Sequence, residues 1–257
     1  MKKLKSVLLN KYFLSIAGIA LFFLIWVIVY LIAGQNNSIF PEPIETFNEM
    51  FIYLGDSYTY KCIWGSFERM LIGFSVSTIL AIILGIIVGN YKKIKYVFNP
   101  TMVALKAIPT AALTFLFLVL AGLKNAPIYI VGVIVFPIVY EATVSGYSQI
   151  DEYVIMSTRV DGASSFISNL KVKFPLAIPT ISLGLISSFA LSFKIEIMAE
   201  VISGSSSYGL GRAIQSAYIN SSNGMVPTFA YSLITIIVML LVTLLLDLLK
   251  KLLKLKQ

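Results

Sequence analysis

The 257-residue chain has no histidine and a single cysteine, Cys62. Without histidine there is no imidazole to move protons near neutral pH, and zinc loses its usual nitrogen ligand. One thiol cannot close an intramolecular disulfide. Charge is also scarce: Asp, Glu, Lys and Arg make up 12% of the residues, against roughly a quarter in an ordinary soluble domain. The phosphate-cradling pattern Gly-x-x-x-x-Gly-Lys-Ser/Thr is missing too, so the chain does not bind ATP by that device. No paired aspartates or serine–lysine pattern occurs at a coherent depth. The reading therefore assigns no catalytic residue, metal site or resident cofactor.

What the chain has in excess is apolar surface. Hydrophobic residues make up 58% and the mean hydropathy is +0.89, which marks an integral membrane protein. The net charge of +8 comes from lysines beside the ends of apolar runs. That is the pattern of membrane topology and not of nucleic-acid binding.

Six runs are long enough to cross a bilayer, which takes ~20 apolar residues. Residues 13–33 follow Lys2, Lys3, Lys5 and Lys11. The run exceeds a signal-peptide core and no small-residue cleavage site follows promptly, so it reads as a retained span. The segment 35–65 carries Glu42, Glu45, Glu49 and Asp56 against Lys61, which places it outside. Pro41 and Pro43 there lead a surface helix bearing Ile44, Phe47 and Phe51. Residues 67–90 form the second span. Gly73, Gly85 and Gly89 give it small-residue faces, the last two at the spacing of close helix contact. Glu68 and Arg69 lie at its outer end as a candidate pair. Lys92, Lys93 and Lys95 mark an inner turn.

The third run, 97–122, is interrupted by Pro100, Lys106 and Pro109. Its first part, 97–106, reads as an interfacial or broken helix, and 109–122 as a short span. Non-helical backbone at membrane depth survives only against protein or water, so Lys106 and Pro109 are candidates for lining a translocation path. An external turn at Lys124 and Asn125 leads to the span 128–147, bent at Pro137 with Glu141 toward its inner end. Spans 181–202 and 227–249 complete the set, and Lys250, Lys251, Lys254 and Lys256 follow. The expectation is an all-α integral membrane protein, 1–257 as one domain, with six transmembrane helices and both termini cytoplasmic.

Lys194, Glu196 and Glu200 fall inside the fifth span. Charges at that depth cost about 2.5–3.5 kcal/mol each on insertion scales and normally face a cavity or a partner. Glu196 and Glu200 share a helical face, while Lys194 points elsewhere. Two readings stand. Lys194 and Lys106 lend positive potential to a path for an anionic solute, with Glu141, Glu196 and Glu200 beside it. Alternatively, Lys194 pairs with Glu141 or Glu200 in a purely structural role. A chain working alone would be an ion-coupled secondary transporter with Glu196 and Glu200 as proton sites.

The inner loop 151–178 is too patterned for a connector. Ser157 opens a helix-compatible run, Gly162 and Ala163 interrupt it, and Phe166, Ile167 and Leu170 place apolar groups on one helical side. Lys171 and Lys173 suit a helix C-terminus, and Pro175 and Pro179 are expected to stop and restart the chain. Such a helix suits docking to another protein. Resting on the bilayer or packing within its own chain is the alternative.

This loop resembles the EAA loop of permease subunits in binding-protein-dependent ABC importers. Met156-Ser157-Thr158 stands where the family has Glu-Ala-Ala. Gly162 matches its glycine, Ala163-Ser164 its small pair, Phe174-Pro175 its Leu-Pro, and Pro179 a second proline. Lys106-Ala107-Ile108-Pro109 is similar to the Arg-Pro-Ile-Pro segment of the nitrate, sulfonate and taurine branch, and Phe40-Pro41-Glu42-Pro43 to its Leu-Pro-x-Pro. Ala199-Glu200, Gly209-Leu210-Gly211 and Ile214 match a further pattern. The resemblance implies the fold of a type I importer permease with a cytoplasmic coupling helix. It implies docking of an ATPase subunit through Arg159, Asp161, Gly162, Ala163, Phe166 and Leu170. It further implies two ATP-binding subunits carrying ATP-Mg, a second permease copy (the same chain or a close paralogue), and an extracellular solute-binding protein or lipoprotein, in a bacterial plasma membrane. The implied solute is a sulfonate, nitrate or taurine-like anion, or a vitamin precursor such as a thiamine pyrimidine or riboflavin.

Overall fold

A computed structural model describes residues 11–34, 40–160, 162, 164–204, 208–220 and 225–252. Every regular element among them is helical. In chain order the helices are α1 (Lys11–Val29, extended by a π turn at Tyr30–Gly34), α2 (Pro43–Leu54), α3 (Ser57–Asn90), α4 (Lys92–Ala107), α5 (Thr110–Ser148), α6 (Glu152–Val160), α7 (Ser165–Ser168), α8 (Phe174–Ser203), α9 (Leu210–Ile219) and α10 (Val226–Leu252). Helices α3 and α5, the run Ser165–Ser203 that contains α7 and α8, and α10 are long and apolar enough to cross a membrane, and Ala20–Ile32 is a shorter apolar helix. This is an all-α membrane fold.

The chain divides into two compact units, Met1–Tyr60 with Ala213–Thr235, and Lys61–Arg212 with Ile236–Gln257. In the first, the surface helix read from the sequence is present as α2, with Pro43 opening its first turn, where a missing N–H costs nothing. Phe47 of α2 meets Phe23 and Trp26 of α1 at ring separations of 5.6 and 6.2 Å. The Trp26 indole N–H donates to the Pro41 carbonyl at 3.2 Å, so the burial of that ring leaves no donor orphaned. Ile44 and Phe51 face outward.

In the second unit, α5 packs along α8 and α3 packs on α5. The close spacing expected of the glycines is used here. A Cβ at Gly85 would lie 2.6 Å from Thr143 Cβ, and one at Gly89 2.6 Å from Tyr147 Cβ. Two glycines four apart on α3 thus admit two side chains four apart on α5. Val131, Val135, Val139 and Ala199 fill the core beside them.

Two expectations are corrected. The third and fourth runs are divided, but at Gly122, where the third run was expected to end, and not at Lys124 and Asn125, which are helical; α5 is two helical stretches of Thr110–Ser148 that meet in a kink at Gly122, with φ 75° and ψ 169°. Only glycine adopts that backbone at little cost. Nor do Pro175 and Pro179 stop the chain. The helix runs through both: Pro175 lies in the first turn of α8, where a missing N–H costs little, and Pro179 lies inside the helix. The break before Pro109 is as read: Ile108 is extended, ψ 124°, as steric pressure from a following proline favours.

Candidate functional site

The inner loop is a helix, a hinge and a second helix. Helix α6 ends at Val160, and Gly162 then takes φ 75°. Ser164 caps α7, its Oγ accepting from the Ile167 N–H at 3.3 Å. Thr158 and Ser168 share a hydroxyl hydrogen bond of 2.9 Å that ties the two arms together. The loop is anchored at its base, where Lys173 Nζ donates to Asn90 Oδ1 at 2.8 Å and Asn90 Nδ2 donates to the Ile86 carbonyl. Against this fixed frame Phe166 is 73% exposed and Leu170 58%. The arrangement presents two large apolar side chains on a short, capped and tethered element. Of the other residues expected to dock, Arg159 lies on α6 but its side chain is outside the described residues, as are Asp161 and Ala163.

The ionisable residues of the fifth span do not stand in open space. Glu196 and Glu200 are fully buried, and their counter-charge is Arg69 of α3. Arg69 Nε donates to Glu196 Oε1 at 3.1 Å, and Nη2 donates to Glu200 Oε1 and, at 2.8 Å, to the Tyr208 carbonyl. Ser66 Oγ also donates to Glu200, at 2.8 Å to Oε2, and accepts from the Leu210 N–H at 2.8 Å. The Gly211 N–H donates to Glu200 Oε2 at 2.8 Å. Glu196 Oε2 is buried with no partner among the described residues.

Three glycines let backbone close on this cluster. A Cβ would come within 2.3 Å of the Tyr208 carbonyl at Gly65, 2.6 Å of Glu200 Oε2 at Gly209 and 2.4 Å of the Ile197 carbonyl at Gly211. The Ala-Glu and Gly-Leu-Gly patterns are therefore two halves of one contact. The candidate pair Glu68–Arg69 is replaced: Arg69 turns inward and Glu68 is exposed. The signal for Arg69 was available, since an arginine in an apolar run needs a partner and Ser66 lies one helical turn away on the same face. Which helix supplied that partner is a tertiary fact.

Lys106 and Glu141 pair with each other, with 41% and 45% of their side chains exposed. Glu141 is thus not the partner of Lys194, which is exposed and makes no ion pair among the described residues. Pro109 begins α5 from an extended turn. Glu141 lines a cavity of about 270 Å³, and a second cavity of about 740 Å³ shares Lys95, Asn99, Val144 and Ser148 with it. Among the described residues no group of three or more His, Cys, Asp or Glu could hold a metal ion.

Residues 77–256 match the family of binding-protein-dependent transport system inner membrane components. A probable ABC transporter permease of Brucella melitensis biotype 1 is 27% identical over 208 residues, 80% of this chain and 82% of the relative. The nitrate import permease NrtB of Synechocystis sp. is 29% identical over 218 residues, 80% of this chain and 76% of its own. Among solved structures, an inward-facing MetNI methionine ABC transporter chain superposes with a TM-score of 0.64 at 15% identity, over 76% of this chain and 95% of that one.

Proposed function

We propose a transport role from this premise: the chain belongs to the family of binding-protein-dependent transport system inner membrane components, and it is a permease subunit of an ABC importer. The ion-coupled alternative gives way to that membership, and its two carboxylates are committed to Arg69. In our reading the chain crosses a bacterial plasma membrane six times with both ends in the cytoplasm. It works beside a second permease copy, above two ATP-binding subunits that hold ATP-Mg, and beneath an external solute-binding protein or lipoprotein.

The observation that carries this reading is the exposure of Phe166 and Leu170 on a helix that is capped at Ser164 and hinged at Gly162. Here they fit a groove on an ATPase subunit, with Arg159, Asp161 and Ala163 at the rim. Closure of the ATPase pair on ATP draws the docking helices together. The Lys173–Asn90 tether passes the pull to α3, and the unbroken helix from Ser165 to Ser203 passes it to the membrane.

The solute is a small oxyanion of the nitrate or sulfonate kind. Support comes from the relative named as a nitrate import permease and from the exposed Lys194, which makes no ion pair among the described residues. Lys106, Pro109, Glu141 and Lys194 belong to its path, with Glu196 and Glu200 in the wall behind. The test is gentle purification of the tagged chain from its native membrane. An ATPase subunit co-purifies with the wild type. Phe166→Asp and Leu170→Asp each weaken the association at least ~30-fold, the effect of losing one anchor worth ~2 kcal/mol. Undiminished capture by both variants refutes the docking assignment.

A further inference from the structure

Two carboxyl groups face one guanidinium in the Arg69 cluster, and the hydrogen bonds divide unequally between them. The Glu200 oxygens accept from Arg69 Nη2, from Ser66 Oγ at 2.9 and 2.8 Å, and from the Gly211 N–H at 2.8 Å. Glu196 has one donor: Oε1 accepts from Arg69 Nε at 3.1 Å, while Oε2 is buried with no partner among the described residues. We propose that the Glu196 carboxyl is a proton-binding site, filled at neutral pH. The cluster is then one arginine, one carboxylate and one carboxylic acid.

Charge requires the proton. With both glutamates ionised, two negative charges would share one positive charge where neither glutamate side chain has any exposed surface. No second cation makes up the difference. Lys61 is exposed and sits over the Tyr208 ring, 5.8 Å from its centroid, and Lys194 is exposed on α8; neither forms an ion pair with the cluster among the described residues. Glu68 is exposed as well. Around Glu196, Ile195 and Ala199 belong to the apolar core. A buried carboxylate without its own counter-charge takes up a proton in preference to staying ionised. Glu196 and Glu200 also lie one turn apart on one helical face, where like charges repel, and the proton removes that repulsion.

The donor pattern decides which glutamate holds it. Ser66 Oγ accepts from the Leu210 N–H at 2.8 Å, so its own hydrogen is free to point at Glu200. Every contact of Glu200 therefore comes from an N–H or O–H, and a proton on Glu200 would have to displace one of them. On Glu196 the proton displaces nothing. It spares an oxygen that would otherwise lose its hydration with no hydrogen bond in return. Two glutamates can then share one arginine, and α8 holds α3 and the turn before α9 through a neutral contact.

The test uses the permease–ATPase complex in nanodiscs, assembled from unlabelled ATPase and from permease whose glutamates carry ¹³C at the side-chain carboxyl. Infrared spectra at neutral pH should show the carbonyl stretch of a protonated carboxylic acid, shifted by the label and by D₂O. That band should vanish in Glu196→Gln. Glutamine is the uncharged mimic of a protonated glutamate, so Glu196→Gln should keep its Tm within ~4 °C of wild type. Glu200→Gln sets an N–H₂ among donors and should lower Tm by at least ~8 °C.

Absence of the band from the wild type overturns the site without appeal to any variant. A band that survives Glu196→Gln places the proton on another group and overturns it too. A Glu196→Gln complex that melts as low as Glu200→Gln marks Glu196 as ionised, with the same consequence.

Discussion

The unit that holds the inner loop contains two ionic sites of like composition and opposite setting. Arg69 with Glu196 and Glu200 is shut away, with 11% of the arginine and none of the glutamate side chains exposed. Lys106 with Glu141 is open, at 41% and 45%. In the first, one backbone amide and one hydroxyl complete the coordination of Glu200, and glycines at 65, 209 and 211 make room for it. In the second, the two side chains have only each other among the described residues, on the edge of a cavity. Charges under low dielectric are expensive to strand, while exposed pairs contribute little to stability. The closed site therefore holds the turn before α9 against α3 and α8, while the open one adds little to the fold.

That contrast is broken most directly at Arg69. Arg69→Met strands two buried carboxylates, and loss of one partner of a buried pair costs about 3–5 kcal/mol. We expect a large drop in the yield of folded protein and in its Tm in detergent. An unchanged Tm would place the cluster outside the structural core. Next is Gly211→Ala, whose methyl would press on the Ile197 carbonyl and Glu200 Cβ. Overpacking of this kind costs about 1–3 kcal/mol, and the same melting measurement should show a smaller fall. The smallest effect on stability belongs to Lys106→Gln and Glu141→Gln, each expected within ~1 kcal/mol of wild type. A drop as large as that of Arg69→Met would erase the distinction between the two sites.

Most of the helices could be read from the sequence, because apolar runs bounded by lysine and proline leave few alternatives in a bilayer. Gly85 with Gly89 announced a close contact, and Gly162 with Pro175 announced a hinged helix. The misreadings share a physical cause. Lys124 and Asn125 look like a turn by polarity, yet the break is at Gly122, where polarity says nothing and backbone freedom decides. Pro175 and Pro179 look like stops, yet α8 runs through both, the first in its opening turn and the second inside it. Glu196 and Glu200 were marked as costly, but their partner lies 127 and 131 residues away in sequence, a distance no local pattern spans.

The docking face offers the most direct measurement. Cys62 is buried, so Phe166→Cys adds one accessible thiol to a quiet background. The account predicts that maleimide labels it readily in the permease alone and at least ~10-fold more slowly once the ATPase subunits are bound. Equal labelling rates in the two states would contradict it.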